Sequence, residues 1–357
     1  MRPRDDLRRG GLVAAALAGS WRNSDLPPLN LTEAELDEVT PLLCISGAAG
    51  LGWRRVSNSH LKDTPSAEVL RQAYRLQSLQ AAIHEQKVEQ TFRVFRHASI
   101  DAILAKGWAA ANFYPDDSRP SGDIDLCVRP DQYKLAQEAL RAPEGEGLFI
   151  DLHKEFEEIG ERPFDEVFAR SRLLPLGQEQ IRTFGLEDHL ALLCIHFLKH
   201  GGWRPLWLCD ISTAVESLPP SFDWNVCLGS NKTRGRWIIA ALNLANRLLG
   251  ADVSKCPAAA NGQEPPVWLI ENVLQHWCNP SSMNQAPLSH PVPIAELLRR
   301  PSGLLKGLRQ RWPDPILATV SVNGEFNSFP RFPYQVANCL SRIKRLVVHW
   351  PGEWQEE

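Results

Sequence analysis

The sequence predicts an α+β fold in which a small mixed sheet is flanked by helical lobes on its N- and C-terminal sides. Two observations predict it. Apolar residues recur at helical spacing before residue 96 and again after residue 187, whereas runs with a period of two fall between these stretches. At 357 residues, with 43% hydrophobic and 23% charged residues, the chain has the make-up of a soluble globular protein able to bury a sizeable core. Three regions follow: a helical region at 1–96, a mixed core at 97–175, and a mostly helical lobe with a Pro-rich tail at 176–357.

Met1 to Arg9 is charged and Gly11 to Gly19 is apolar, which imitates an export signal. The Asp5-Asp6 pair and bulky Trp21 suit an ordinary first helix over 5–19 better. Pro27-Pro28 marks a break, and Thr32 caps the helix that follows, with helical segments continuing over 36–54. Thr64-Pro65 opens a long helix with Pro at its first position. Val69, Ala73, Leu76, Leu79, Ile83, Val88, Phe92 and Phe95 follow helical spacing along it.

The core alternates strand and helix: strand 100–105, helix 108–114, strand 123–129, helix 130–141, strand 148–156, and a short strand near 180–184. From Glu187 the pattern is helical again, with a helix ended by Gly201-Gly202 and two more over 207–218 and 235–249. Residues 251–266 read as a loop. The Pro/Ser-rich stretch 280–330 reads as less regular, and a basic helix over 334–350 closes the sequence. No internal repeat is evident.

The chemistry concentrates in Arg119-Pro-Ser-Gly-Asp-Ile-Asp-Leu-Cys-Val128. A strand places Asp123 and Asp125 on one face and Ile124, Leu126 and Val128 on the other, toward a core. Two carboxylates with no intervening cation repel unless a hard ion lies between them. Mg²⁺, or Mn²⁺ in its place, fits a site of one or two carboxylates plus substrate phosphates. Upstream, Lys106-Gly107 sits between a strand and a helix, where glycine admits close approach of a phosphate and the helix N-terminus favours an anion. Arg119 and Ser121 precede the Asp pair and are candidate triphosphate contacts. In Leu148-Phe-Ile-Asp-Leu-His-Lys-Glu-Phe156, alternation puts Phe149, Asp151 and His153 on one face, so Asp151 is a candidate third carboxylate on a neighbouring strand.

The order Lys-Gly, Arg-x-Ser-x-Asp-Ile-Asp-Leu, then a strand with Asp-Leu-His resembles the uncharacterised nucleotidyltransferases of the DNA polymerase beta superfamily, often called nucleotidyltransferase family 5. A more distant likeness is to abortive-infection nucleotidyltransferase toxins. The resemblance covers about Thr64 to Ser217, with an echo to about Leu249. It implies a polymerase-beta-like nucleotidyltransferase core that moves a nucleoside monophosphate from a nucleoside triphosphate to an acceptor and releases pyrophosphate. In that two-metal scheme Asp123 and Asp125 bridge both ions and Asp151 completes the acceptor side. The resemblance also implies that Lys199 and Asp210 lie near the nucleotide. The sequence departs from better-studied members at Lys106-Gly107, where a Gly-Ser pair is usual, and at Gly122, where bulkier residues are common.

Other features narrow the class. A net charge of −3 gives no global basic footprint for nucleic acid, so a small-molecule or peptide acceptor is favoured over RNA. A toxin-type enzyme acting on tRNA and a catalytically silent nucleotide-binding protein are the alternatives. The eight cysteines form no Cys-x-x-Cys and read as reduced core thiols, which suits the cytoplasm. No apolar run is long enough to span a membrane, and no Walker-type phosphate loop is present. His189, His196 and His200 lack the Glu of a zinc helix motif and read as core-edge and capping residues. The twelve tryptophans read mainly as core, with Trp108 and Trp207 nearest the motifs.

Overall fold

The structure is a computed structural model that describes residues 3–116, 118–145, 147–160, 162–259, 264–279 and 312–348. Five strands form one mixed sheet in the order β3-β2-β1-β5-β4. They are β1 (Ala102–Leu104), β2 (Ile124–Val128), β3 (Ile150–His153), β4 (Arg172–Leu176) and β5 (Glu179–Thr183). β2 runs antiparallel to β1 and parallel to β3, β1 runs parallel to β5, and β4–β5 is an antiparallel hairpin.

Helix α1 (Pro3–Leu17) is followed by α2 (Glu33–Ser46), α3 (Ala49–Val56) and the long α4 (Pro65–His97). Thr32 and Glu35 form a reciprocal capping box at α2, and Thr64 caps α4 ahead of Pro65. Along α4 only part of the expected stripe is covered. Val88, Phe92 and Phe95 are buried, whereas Val69, Leu76, Leu79 and Ile83 are exposed. A helix of 33 residues is about 50 Å long. It packs against α3 at one end and the sheet at the other, and its middle runs between them.

Within the core, α5 (Trp108–Ala111) is one turn, shorter than the helix expected over 108–114. α6 (Tyr133–Arg141) follows a 3₁₀ turn at Pro130–Gln132, and α7 (Phe164–Arg170) leads into β4. The C-terminal helices are α8 (Leu186–Lys199), α9 (Pro205–Glu216), α10 (Trp224–Leu228), α11 (Lys232–Leu249), α12 (Val267–Cys278), α13 (Pro315–Ser321) and α14 (Phe332–Val348). The stretch expected to be less regular holds α13, whose Ile316 and Val320 join the main core. Residues 280–311 lie outside the described residues.

Alternation along the strands builds two cores. On one face Ala102, Leu104, Ile124, Leu126 and Val128 pack with Val88, Phe92 and Phe95 of α4 and Ala136 of α6. On the other face Ile103 and Cys127 join a larger core that includes α8, α9 and α11 and also α1, α2 and α12. The first and the later helices therefore share one core around the second face of the sheet. The apolar 11–19 stretch contributes Val13, Ala16 and Leu17 to it. All eight cysteines are free thiols and six are buried. No helix of the described residues is long and apolar enough to cross a membrane.

Candidate active site

β2 and β3 pair in parallel register with Asp125 opposite Asp151 and Cys127 opposite His153. The period of two sends Asp125, Asp151 and His153 to the face covered by α8 and α9. One ligand atom from each of these three lies within 4.8 Å of the others, the one such grouping able to hold a metal among the described residues. His153 Nε2 is shielded from solvent 3.2 Å from Asp151 Oδ2 and 3.6 Å from Asp125 Oδ1, without hydrogen-bond geometry to either. Its ring packs on Phe156 at 4.4 Å between centroids.

Asp125 is buried and carries the ion pair of the site, 3.0 Å from Lys106 Nζ. Burial opposes ionisation of Asp125, but His153 and Lys106 outweigh it and hold the carboxyl below its usual range. Interaction with Asp125, joined by the charge of Asp151, raises His153 above its usual value against the effect of burial. Asp151 is exposed on the edge strand. Asp123 sits one residue ahead of β2 and is exposed, outside the Asp125–Asp151–His153 grouping.

Gly107 adopts φ +60 and ψ −112 between β1 and α5, a conformation that strains any side chain. A Cβ there would stand 3.1 Å from Asp123 O and 3.7 Å from Ser121 Cβ. The Lys106-Gly107 turn therefore lies directly against the Ser121–Asp123 segment. Gly122, in contrast, has open space around its Cβ position. Trp108 is buried and donates through Nε1 to Glu85 at 3.0 Å, so it is a core residue.

Arg119 and Asp210 come together in a buried bidentate pair. Arg119 Nε donates to Asp210 Oδ1 at 3.1 Å and Nη2 to Oδ2 at 2.8 Å, while Nη1 donates to Pro120 O. Tyr114 also donates to Asp210 Oδ1 at 2.9 Å. The pair ties the loop before β2 to α9.

A second cluster lies on α8 and in the loop after β3. Glu158 stands 3.9 Å from both His196 Nδ1 and Lys199 Nζ. Burial works against its ionisation, but the His196 contact and the Lys199 charge hold the carboxyl at about 2. His196 and His200 pack ring on ring at 4.3 Å, and both pack on Trp207. Lys106 acts on both imidazoles, whose basicity burial has already lowered, to about 4 for His200. His189 is apart from them, in contact with Phe113.

Glu158, Arg204 and the inward placement of His153 were not singled out by sequence reasoning. Alternation already put His153 on the Asp151 face. For Glu158 and Arg204 no local pattern existed, because their neighbours come from elements that meet only in the fold: His196 and Lys199 beside Glu158, and Ser46 O accepting from Arg204 Nε. His84 of α4 belongs with them: it is buried, both ring nitrogens lack a partner, and Arg119 and Asp123 act on it electrostatically.

A sequence-family model described as "Uncharacterised nucleotidyltransferase" matches residues 32–145 and 142–250, together more than half of the chain. No curated protein and no solved structure matches the chain.

Proposed function

The chain belongs to this uncharacterised nucleotidyltransferase family, and from that premise we propose that it is a metal-dependent enzyme moving a nucleoside monophosphate from a triphosphate to an acceptor hydroxyl or phosphate. The observation that carries the reading is the β2–β3 register, which sets Asp125 beside Asp151 with His153 between them and Lys106 on Asp125. Oxygen donors on a shared strand face suit Mg²⁺ or Mn²⁺, and His153, whose proton the two carboxylates favour, would join them only by giving that proton up as the ion binds. Asp125 and Asp151 would hold the ion, with Asp123 joining from the segment just ahead of β2. When bound, the ion supplies charge neutralisation and Lewis acidity at the phosphates.

In this reading the acceptor oxygen attacks the α-phosphorus and the bond to the bridging oxygen breaks, so pyrophosphate leaves. Asp151, at the open edge of the sheet, takes the acceptor's proton or orients its hydroxyl. Lys106 exchanges Asp125 for a phosphate oxygen when the triphosphate enters. Gly107 and Ser121 let the phosphates approach the backbone, and the Arg119–Asp210 pair holds their loop in place. Lys199 of α8, 3.9 Å from Glu158, is the further cation that this reading brings to the phosphates. The free thiols suit a reducing compartment such as the cytoplasm. A small molecule or peptide is the acceptor class we favour, since the protein's net charge of −3 offers no general attraction for RNA.

Labelling the α- and the γ-phosphate separately tests the reaction. Transfer of the α label to an acceptor, with pyrophosphate released, is expected. Transfer of the γ label alone would mean a kinase. A Mg²⁺- or Mn²⁺-nucleotide complex should raise the melting temperature, and Asp125→Asn with Asp151→Asn should remove that rise. A rise that persists in the double variant would put the metal elsewhere.

A further inference from the structure

Three cations around the carboxylates each have an acid within reach: Lys106 on Asp125, Arg119 on Asp210 and Lys199 on Glu158. Arg204 has no carboxylate partner among the described residues. Its Nε donates to Ser46 O at 2.9 Å, leaving the two terminal amino groups to donate elsewhere. The guanidinium lies over the Trp207 ring, 5.7 Å from its centroid. Trp207 is itself held by His196 at 4.6 Å, His200 at 5.3 Å and Trp203 at 5.5 Å. Gly47, at φ +77, leaves the guanidinium its room: a Cβ there would stand 2.5 Å from Arg204 Nη2. A carbonyl, an aromatic face and a glycine thus orient a half-buried guanidinium.

Its helix ties it to the loop that leads into the Asp123–Asp125 segment. Arg204 immediately precedes α9, the helix whose Asp210 grips Arg119 from the loop before β2. Burial lowers its basicity, the Arg119 charge adds to that, and Asp210 and Asp123 act in the opposite sense. A partly desolvated cation without its own acid is costly unless an anion completes it. The arginine fork matches two phosphate oxygens at once.

Resting on the nucleotidyltransferase reading above, we infer that Arg204 binds the terminal phosphates of the nucleoside triphosphate, donating through its two terminal amino groups while Trp207 and Ser46 fix its plane.

Titration calorimetry with inorganic tripolyphosphate and Mg²⁺ or Mn²⁺ isolates this role from base and acceptor. Arg204→Met should weaken tripolyphosphate binding by about ten- to a hundredfold and change nucleoside monophosphate binding little. Arg204→Lys, which keeps the charge, should recover part of the loss. Because Arg204 also bonds Ser46 O, ligand-free melting temperatures accompany each variant. Should Arg204→Met melt early, Arg204→Lys decides: affinity above that of the Met variant supports the assignment, and equal affinity overturns it. Wild-type affinity in Arg204→Met overturns the assignment alone. A wild-type protein that binds tripolyphosphate with neither ion overturns both the assignment and the reading beneath it.

Discussion

Removing Arg119 alone would strand the Asp210 carboxylate, which is fully buried and keeps only the Tyr114 hydroxyl. Breaking one partner of such a pair costs about 3–5 kcal/mol. Arg119→Met should lower urea-denaturation stability by that order, and Arg119→Met with Asp210→Leu should cost less than the two single changes added together. His189 gives a pH signature. Burial pushes its folded pKa down to about 4, below the usual histidine value. The unfolded chain therefore binds a proton first as pH falls. The stability is fully present above about pH 6.5 and is lost as pH falls toward 4, amounting to about 3 kcal/mol. Melting curves across this window should show the loss, and His189→Phe should make it shallower without abolishing it, because burial also lowers His196 and His200. At this scale the Asp125–Asp151 juxtaposition was legible, because a strand's period fixes which face a side chain takes. The pairing of Arg119 with Asp210 was not, since nothing local links a loop to a helix ninety-one positions on.

Between β1 and α5 the chain turns through a backbone conformation open to glycine and strained for other residues. Gly107→Ala should cost about 1–3 kcal/mol in thermal or urea unfolding and push the Ser121–Asp123 segment outward, weakening nucleotide-dependent stabilisation more than the fold. Most elements were readable because caps and periodicity are local signals: Thr32 and Thr64 sit where their helices begin. β4 escaped because Leu173-Leu-Pro175 looks like a poor strand. It survives as an edge, where a proline leaves no ladder bond unmade. The long α4 shows the reverse error. Its apolar spacing is helical throughout, yet which turns are covered depends on how far α3 and the sheet extend along it.

At the scale of the whole molecule, α1 and α12 pack with their backbones close together at Gly10 and Leu274. A Cβ added at Gly10 would overlap the Leu274 carbonyl and stand 2.8 Å from its Cα. Gly10→Ala must push two helices apart and should cost about 2 kcal/mol or more in urea denaturation, with Gly11→Ala as the control, since open space surrounds that position. Neither helix carries the proposed chemistry, and the family match ends before α12 begins. Their packing has a consequence in time. α1 is made more than two hundred residues before α12, so the part of its apolar face that α12 covers waits while the intervening residues are made, although α2 and α3 can pack on it early. The slow, long-range closure of that contact would make the nascent chain a client for chaperones, and would make premature termination inside the family-matched region yield a sticky fragment rather than a smaller enzyme.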